Sequence, residues 1–336
     1  MRSKFERCGI EGVQRFAAVD GQTAIIPGNW SDSPGAYGCL RSHLEIIEEA
    51  RRRGWPSVLI FEDDAALDPE LREKFSSYFQ QVPADWEMLH LGANHMAAPV
   101  EVSANVVRIT SANSTFAYAL NAAVFDAFIE LNTRALTAVD LNNRKLQTEH
   151  ACYCFMPHLA WVEDLSSDVQ VRQKYHWYLK ESLVLHGTGM DEILKQTTVI
   201  IRNRGDASFL KQFYEKYLSG VQVIVDGTAD DTDKSFLIFT DSNVFVEEWD
   251  IRGNLRMCER FDCATGFKSL VNLTPEATQM LKTSSPMILT PWFDANDYER
   301  SEKREPFERF SIFRRDAVGR RALRVFESPN DALLMA

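Results

Sequence analysis

Short apolar runs alternate with amphipathic segments through the first half of this chain, and this alternation constrains the fold more than any other feature. The run SVLIF at 57–61 is uninterrupted and apolar, as expected of a strand covered on both faces. Before it, apolar positions recur on one face of a predicted helix that begins near Leu40 and ends before Gly54. The pattern predicts an α/β domain with a largely parallel sheet through about residue 165.

The same alternation starts again near residue 190. Other strands predicted in the first half are RFAAV (15–19), WEMLHLG (86–92) and TFAYAL (115–120). In the second half, the pattern predicts strands at 197–203, 221–227 and 236–240 and an amphipathic helix at 206–218. We therefore predict two domains, 1–190 and a smaller α/β domain at 191–336.

Composition excludes several classes of protein. The 336 residues carry a net charge of -11, which argues against a broad nucleic-acid-binding surface. No apolar run approaches the roughly 18 residues of a membrane span, and the N-terminal residues lack a signal core, so a cytoplasmic location is the expectation. The six cysteines are too few for a disulfide scaffold, and Cys152-x-Cys154 has neither zinc-site nor redox spacing. Buried free thiols are predicted.

Three consecutive carboxylates, Glu62, Asp63 and Asp64, follow the strand at 57–61. Adjacent ionised carboxylates raise one another's pKa, and a hard cation relieves that repulsion by binding their oxygens. In an extended segment, Glu62 and Asp64 point to one side and Asp63 to the other. The triplet therefore predicts a Mn²⁺ or Mg²⁺ site held by Glu62 and Asp64, with a solvated acidic turn as the alternative.

Seven segments in register resemble the glycosyltransferase family 25 proteins, which include lipooligosaccharide sugar transferases of bacteria and collagen galactosyltransferases. The most specific is VLIFEDDA (58–65), similar to the family's strand with a Glu-Asp-Asp form of the DxD motif. The others are RFAAVDG (15–21), GAYGCLRSHL (35–44), DWEMLHLG (85–92), FAYAL (116–120), AVD (138–140) and PHLAWVEDLSSDV (157–169). The resemblance covers about half the chain, from residue 5 to residue 170.

The resemblance implies a GT-A type fold that transfers a hexose from a UDP-sugar, with inversion, to a hydroxyl of a glycan, a lipid-linked sugar or a protein. It implies a divalent cation, Mn²⁺ or Mg²⁺, beside the diphosphate. The acceptor hydroxyl must lose a proton to a carboxylate. Asp140 is the predicted base, and Glu163 and Asp164 are the alternatives.

Residues near the start of the predicted helix are candidates for donor binding. Glycine permits close backbone approach and a helix N-terminus favours anions, so Gly38, Ser42 and His43 are predicted to contact the nucleotide or its phosphates. Two further groups complete the prediction, namely Val19 and Asp20 near the base or ribose, and Asp63 in the triplet. A core histidine at position 43 and a plain turn at 19–20 are the structural alternatives.

The chain also departs from the family pattern. Relatives begin with an apolar strand that has no counterpart here, so either the start lies upstream, another segment fills its place, or the nucleotide pocket is incomplete. Ala36 and Tyr37 replace an acidic position, and Leu141 and Asn142 replace the residues usual after Asp140. The alternatives to a transferase are a non-catalytic sugar-nucleotide or glycan-binding protein and a different metal-dependent phosphate enzyme.

The role of residues 191–336 is open between an accessory domain, an acceptor-recognition domain and a second sugar-nucleotide domain. In the last case, Asp241-Ser242-Asn243 would occupy the position of a DxD-like site.

Overall fold

The computed structural model describes residues 1–163, 176–265, 269–283, 298–300, 309–318, 324–327 and 331–334. The chain divides into two compact units, Met1–Val184 and Leu185–Ala336. The sequence placed this division at about residue 190. Asp164, one of the alternative bases, lies outside the described residues.

The first unit combines one large mixed sheet with six described helices. The helices are α1 (Arg2–Arg7), α2 (Pro34–Arg52), α3 (Leu71–Phe79), α4 (Phe125–Thr133), α5 (Val139–Glu149) and α6 (Trp177–Lys180). The first five strands are β1 (Ser57–Phe61), β2 (Ala65–Leu67), β3 (Met88–His90), β4 (Asn94–His95) and β5 (Val100–Ser103). The other five are β6 (Val106–Arg108), β7 (Ala112–Asn113), β8 (Ala117–Asn121), β9 (Cys152–Phe155) and β10 (Ala160–Val162).

The main sheet has the strand order β1-β8-β3-β9-β6-β5. Of its neighbouring pairs, only β3 and β9 are parallel, and β8 runs antiparallel to both β1 and β3. The prediction of a largely parallel sheet is therefore wrong. Short apolar runs have the same composition in either direction, so their sequences did not reveal which strands are reversed. The prediction that both faces of 57–61 are covered is also wrong, because Leu59 is 40% exposed. The α/β class is confirmed.

No strand forms at residues 15–19, contrary to prediction. Residues 8–33 contain neither helix nor strand, and Phe16 is 41% exposed. The backbone N–H of Val19 donates to Ser42 Oγ on α2 at 2.8 Å instead of pairing with a strand. Among the described residues, β1 consequently lies at an edge of the sheet.

Helix α2 covers the predicted helix but begins at Pro34, earlier than the predicted start near Leu40, and it positions the site described below. The Ser33 side chain accepts from the backbone N–H of Ala36, and Pro34 occupies the first turn, where no backbone donor is needed. The helix buries Leu40, Leu44 and Ile47 in the core. His43 falls on this buried face and is thereby directed toward β1 and β8.

The second unit has a six-stranded sheet of order β12-β11-β13-β18-β15-β19 and a four-stranded sheet of order β14-β20-β16-β17. Its helices are α7 (Thr188–Lys195), α8 (Ser208–Tyr217), α9 (Glu248–Met257) and α10 (Pro275–Thr283). The first five strands are β11 (Thr197–Arg202), β12 (Gln222–Val225), β13 (Phe236–Asp241), β14 (Val244–Phe245) and β15 (Cys263–Thr265). The other five are β16 (Ser269–Leu273), β17 (Tyr298–Arg300), β18 (Phe310–Arg314), β19 (Val325–Glu327) and β20 (Asp331–Leu334).

The elements predicted between 197 and 240 form as β11, α8, β12 and β13, with β11 parallel to both β12 and β13. Asp241 ends β13, is buried and pairs with Arg202. All six cysteines are free thiols, and five of them are buried, which confirms that prediction. Within the described ranges, no helix has the length and apolar character to cross a membrane.

Candidate functional site

Glu62, the first residue of the acidic triplet, is held by two side chains from other elements. Its Oε1 accepts hydrogen bonds from His43 Nε2 at 3.0 Å and from Thr115 Oγ1 at 2.6 Å. Because a carboxylate only accepts, the His43 proton lies on Nε2, and the Tyr118 hydroxyl donates to Nδ1 at 2.9 Å. These bonds form a buried chain from Tyr118 through His43 to Glu62.

Burial acts to raise the pKa of Glu62, but the hydrogen bonds from His43 and Thr115 outweigh it, so the pKa is lowered. Burial and the neighbouring Glu62 raise the pKa of Tyr118 well above its usual value. At neutral pH, Glu62 is therefore ionised and Tyr118 remains a hydroxyl donor. This chain fixes one carboxylate oxygen of Glu62 and leaves the other for a ligand.

Asp64 has a carboxylate oxygen that no described side chain or backbone group satisfies. Its Oδ1 is buried and has no hydrogen-bond partner among the described residues. Burial, followed by the charges of Glu62 and Asp63, raises the pKa of Asp64 to about 6. A hard divalent cation would satisfy the unpaired oxygen and remove the repulsion, so Glu62 and Asp64 fit such an ion. Asp63 is exposed.

We expect Asp64→Asn to stabilise the ligand-free protein above neutral pH. The pKa of Asp64 rises from 3.8 to about 6 on folding, so its contribution to stability is complete below pH 3.8 and is lost as the pH rises through about 6. Asparagine has no charge to desolvate. At pH 8, the free energy of unfolding of Asp64→Asn should therefore exceed that of the wild type by about 2 kcal/mol. Urea unfolding at pH 4 and pH 8 measures this difference.

The difference between Asp64→Asn and the wild type should nearly vanish at pH 4. The matched control is Asp126→Asn, whose carboxylate is 83% exposed on α4. An equal stability of wild type and Asp64→Asn at pH 8 would show that Asp64 is not strained by burial and by its acidic neighbours.

Asp140, the predicted base, lies in the first turn of α5. Its Oδ1 accepts from the backbone N–H of Leu141 at 2.8 Å and its Oδ2 from that of Ser114 at 3.4 Å. Burial raises the pKa of Asp140. A carboxylate held by backbone donors with a raised pKa has the orientation and basicity required of a general base.

Cys39 of α2 lies beside two of the predicted site residues. The Cys39 Sγ, a ring nitrogen of His43 and a carboxylate oxygen of Glu62 lie within 4.8 Å of one another. Burial raises the pKa of the Cys39 thiol well above its usual value, and the charges of Glu62, Asp140 and Asp64 raise it further. The residues predicted at the start of α2 and at the end of β1 therefore meet.

Glu163, an alternative base, is engaged elsewhere. Its carboxylate forms an ion pair with Lys4 Nζ at 2.6 Å, and Lys4 also donates to the backbone oxygen of Ala65 at 2.8 Å. The Glu163 N–H donates to the backbone oxygen of Asp64 at 2.8 Å. Glu163 therefore ties α1 to the segment after the triplet, and a role as base would require it to leave Lys4.

Gly38 and Ser42 hold the loop that carries Val19 and Asp20. Ser42 Oγ accepts from the Val19 N–H and donates to the Gly38 backbone oxygen at 2.7 Å. A Cβ at position 38 would lie 2.5 Å from the backbone oxygen of Val19, so only glycine permits this approach. Asp20 is exposed, and its Oδ1 caps the N–H of Gln22. Nucleotide contacts by these residues stay predictions.

Sequence reasoning missed three members of the site, namely Cys39, Thr115 and Tyr118. Each lies inside or beside a segment that resembles the family, but nothing in those segments distinguishes a site residue from a core residue. For Tyr118, the signal lies in the strand register, which places this residue opposite Ile60 in β1 and opposite His90 in β3.

The family resemblance predicted from the sequence is confirmed for the part of the chain that holds α2 and the triplet. The sequence profile described as "Glycosyltransferase family 25 (LPS biosynthesis protein)" matches residues 31–117. A Bos taurus protein named "Probable inactive glycosyltransferase 25 family member 3" is 30% identical over 96 residues, covering 26% of this chain and 16% of the relative. The Homo sapiens protein named "Inactive glycosyltransferase 25 family member 3" is 36% identical over 61 residues, covering 17% of this chain and 10% of the relative.

Proposed function

We propose that the first unit is an inverting, metal-dependent glycosyltransferase of the GT-A type, which moves a hexose from a UDP-sugar to an acceptor hydroxyl. The observation that carries the proposal is the buried, unpaired Oδ1 of Asp64, two residues after Glu62, whose Oε1 is held by His43 and Thr115. Galactose or glucose is the proposed sugar, and a glycan, a lipid-linked sugar or a protein is the proposed acceptor. The match to family 25 over residues 31–117 supports the same reaction class.

Glu62 and Asp64 are the proposed ligands of Mn²⁺ or Mg²⁺, which when bound would neutralise charge on the leaving diphosphate as a Lewis acid. His43 and Thr115 orient Glu62 by holding its Oε1. Tyr118 fixes the His43 tautomer and thereby keeps the Nε2 proton directed at Glu62.

Asp140 is proposed to accept the proton of the acceptor hydroxyl as that oxygen attacks the anomeric carbon. The backbone N–H groups of Ser114 and Leu141 hold its carboxylate in place, and its raised pKa increases its basicity. Val19 and Asp20 are proposed to contact the base or ribose, and Asp63 to lie near the donor. A cytoplasmic location remains part of this proposal.

A thermal-shift titration tests the donor site. Wild type, Asp64→Asn and the surface control Asp126→Asn are each titrated with UDP, with Mn²⁺, and with both. A ligand present at about 100 times its dissociation constant adds about 2.7 kcal/mol to folding stability. UDP with Mn²⁺ should raise the melting temperature of the wild type and the control, and should not raise that of Asp64→Asn.

UDP stabilisation that needs no metal, or that survives Asp64→Asn, would contradict the proposed cation site. Because Asp64→Asn is expected to be at least as stable as the wild type without ligand, a lost response cannot be attributed to unfolding.

The names of the relatives support a second candidate, a catalytically inactive protein that binds a sugar nucleotide or glycan. Such a protein would respond to UDP and Mn²⁺ in the titration but would not consume a UDP-hexose. Incubation with UDP-galactose and UDP-glucose, with and without sugar and peptide acceptors, separates the two candidates through the release of UDP.

A further inference from the structure

Two histidines and a cysteine meet in the core of the first unit, apart from the acidic triplet. His95 ends β4, Cys154 lies in β9, and His158 follows β9. One ring nitrogen of each histidine and the Cys154 Sγ all lie within 4.8 Å of one another. The exposed fractions of His95, Cys154 and His158 are 1%, 0% and 3%, so the cluster is closed to solvent.

The hydrogen bonds of His158 determine which of its nitrogens faces the cluster without a proton. His158 Nδ1 lies 2.8 Å from the Leu179 backbone oxygen, which can only accept, so the proton lies on Nδ1. His158 Nε2 therefore directs a lone pair at His95 Nε2, 3.4 Å away. A bond from ring nitrogen to backbone carbonyl is also the usual outer contact of a metal-binding histidine.

The contacts of His95 leave the cluster incomplete. Its Nδ1 is buried without a hydrogen-bond partner among the described residues, so its only polar contact is the long one to His158. If His95 Nε2 carries the proton, His95 Nδ1 has an unused lone pair. If His95 Nδ1 carries it, the lone pairs of His95 Nε2 and His158 Nε2 face each other. In neither state are all the buried ring nitrogens hydrogen-bonded.

The geometry points to a buried zinc site, with His95 Nε2, His158 Nε2 and the Cys154 thiolate as ligands of one Zn²⁺. Zinc bonds of about 2.0–2.3 Å place tetrahedral ligands about 3.4–3.6 Å apart, which matches the 3.4 Å between the two Nε2 atoms. Sulfur and imidazole nitrogen are ligands that zinc accepts readily, whereas Mn²⁺ and Mg²⁺ favour the oxygens of the acidic triplet.

The protonation states of the two histidines and the cysteine are compatible with zinc binding. Burial lowers the pKa of His95 to about 3 and that of His158 to about 4, so both rings are neutral at pH 7 and available to a metal. Burial raises the pKa of the Cys154 thiol, and a coordinated zinc ion would displace its proton. His90, the register partner of Cys154 in β3, also has a buried, unpartnered Nδ1, but it is not part of this cluster.

A zinc ion here would be structural. It would join β4 to β9 and to the segment of His158, which in turn holds α6 through the carbonyl of Leu179. Because the ligands are buried, zinc would enter during folding, and binding would contribute to folding stability. This role does not depend on the proposed glycosyl transfer.

Metal analysis of the full chain tests the site. Wild type, Cys154→Ser and the control Cys152→Ser are unfolded with chelator, refolded with Zn²⁺, gel-filtered and analysed by mass spectrometry for zinc. Cys152 is equally buried two residues earlier on the same strand, but is not part of the cluster. Wild type and Cys152→Ser should retain about one zinc per chain, and Cys154→Ser at least fivefold less.

Refolding of wild type with Co²⁺ provides a readout that does not require Cys154→Ser to fold. A thiolate-to-cobalt charge-transfer band should appear in wild type and persist in Cys152→Ser and Cys39→Ser. Wild type that retains no zinc, cobalt-loaded wild type without this band, or a folded Cys154→Ser with full zinc would each overturn the proposal. Zinc lost only in Asp64→Asn would assign the ion to the acidic site instead.

Discussion

Replacing Asp140 by asparagine is expected to lower the rate of hexose transfer by about 10²–10⁴-fold, the usual contribution of a general base. Asparagine can accept one of the two backbone hydrogen bonds, such as the shorter one from Leu141, through its amide oxygen, but it cannot take a proton from the acceptor. The response of the melting temperature to UDP with Mn²⁺ should therefore be retained. Initial rates of UDP release from UDP-galactose or UDP-glucose, with the best acceptor from a screen, measure the effect.

Glu149→Gln is the matched control, because Glu149 is exposed at the other end of the same helix. Glu163→Gln tests the competing assignment. It removes the ion pair with Lys4 and should lower stability more than rate. If Glu163→Gln abolishes transfer and Asp140→Asn does not, Glu163 is the base, and Lys4 must release it during the reaction.

The sequence predicted the parts of the fold that local chemistry determines. The apolar face of helix α2 and the Gly54 after it are local signals and were predicted. The cap at Ser33 and Pro34 is also local, but the prediction placed the helix start near Leu40 and missed it. Strand β1 and the acidic triplet after it are equally local. Strand direction is not, because it depends on which strands become neighbours, and β8 between β1 and β3 is reversed relative to both.

The segment at 15–19 shows how a tertiary contact overrides a strand-like composition. Its apolar residues suggested a strand, but Ser42 on α2 binds the backbone of Val19. Predicting that contact requires the position of α2 in the fold, which the sequence around residue 17 does not contain.

The site residues also divide into those that the local sequence predicts and those that depend on tertiary contacts. Glu62 and Asp64 were found because they are adjacent in sequence. The chain from Tyr118 through His43 to Glu62 required the register of β8 against β1, and His95 on β4 is distant in sequence from Cys154 and His158. Spacing rules for zinc sites test ligand pairs within one segment, and the exclusion of Cys152-x-Cys154 as a pair says nothing about the cluster that Cys154 forms with His95 and His158.

Replacing Gly38 by alanine is expected to destabilise the first unit, contrary to helix propensity. In an exposed helix interior, this change stabilises by about 1 kcal/mol. Here, the new Cβ would lie 2.5 Å from the backbone oxygen of Val19 and 2.8 Å from the backbone nitrogen of Gly21. Backbone atoms cannot rotate away as a side chain can, so the loop must move off α2, and the free energy of unfolding should fall by about 1–3 kcal/mol.

Two measurements locate the effect of Gly38→Ala. Urea unfolding gives the change in stability, with Gly28→Ala as control, since nothing lies within 4 Å of a Cβ at position 28. Hydrogen exchange of peptides covering 15–22 reports the loop, because the Val19 amide loses protection once its bond to Ser42 breaks. If Val19 and Asp20 contact the nucleotide, Gly38→Ala should also weaken stabilisation by UDP with Mn²⁺. An unchanged exchange rate with unchanged stability would mean that the loop is not held by this approach, and the donor-binding assignment of Val19 and Asp20 would lose its structural basis.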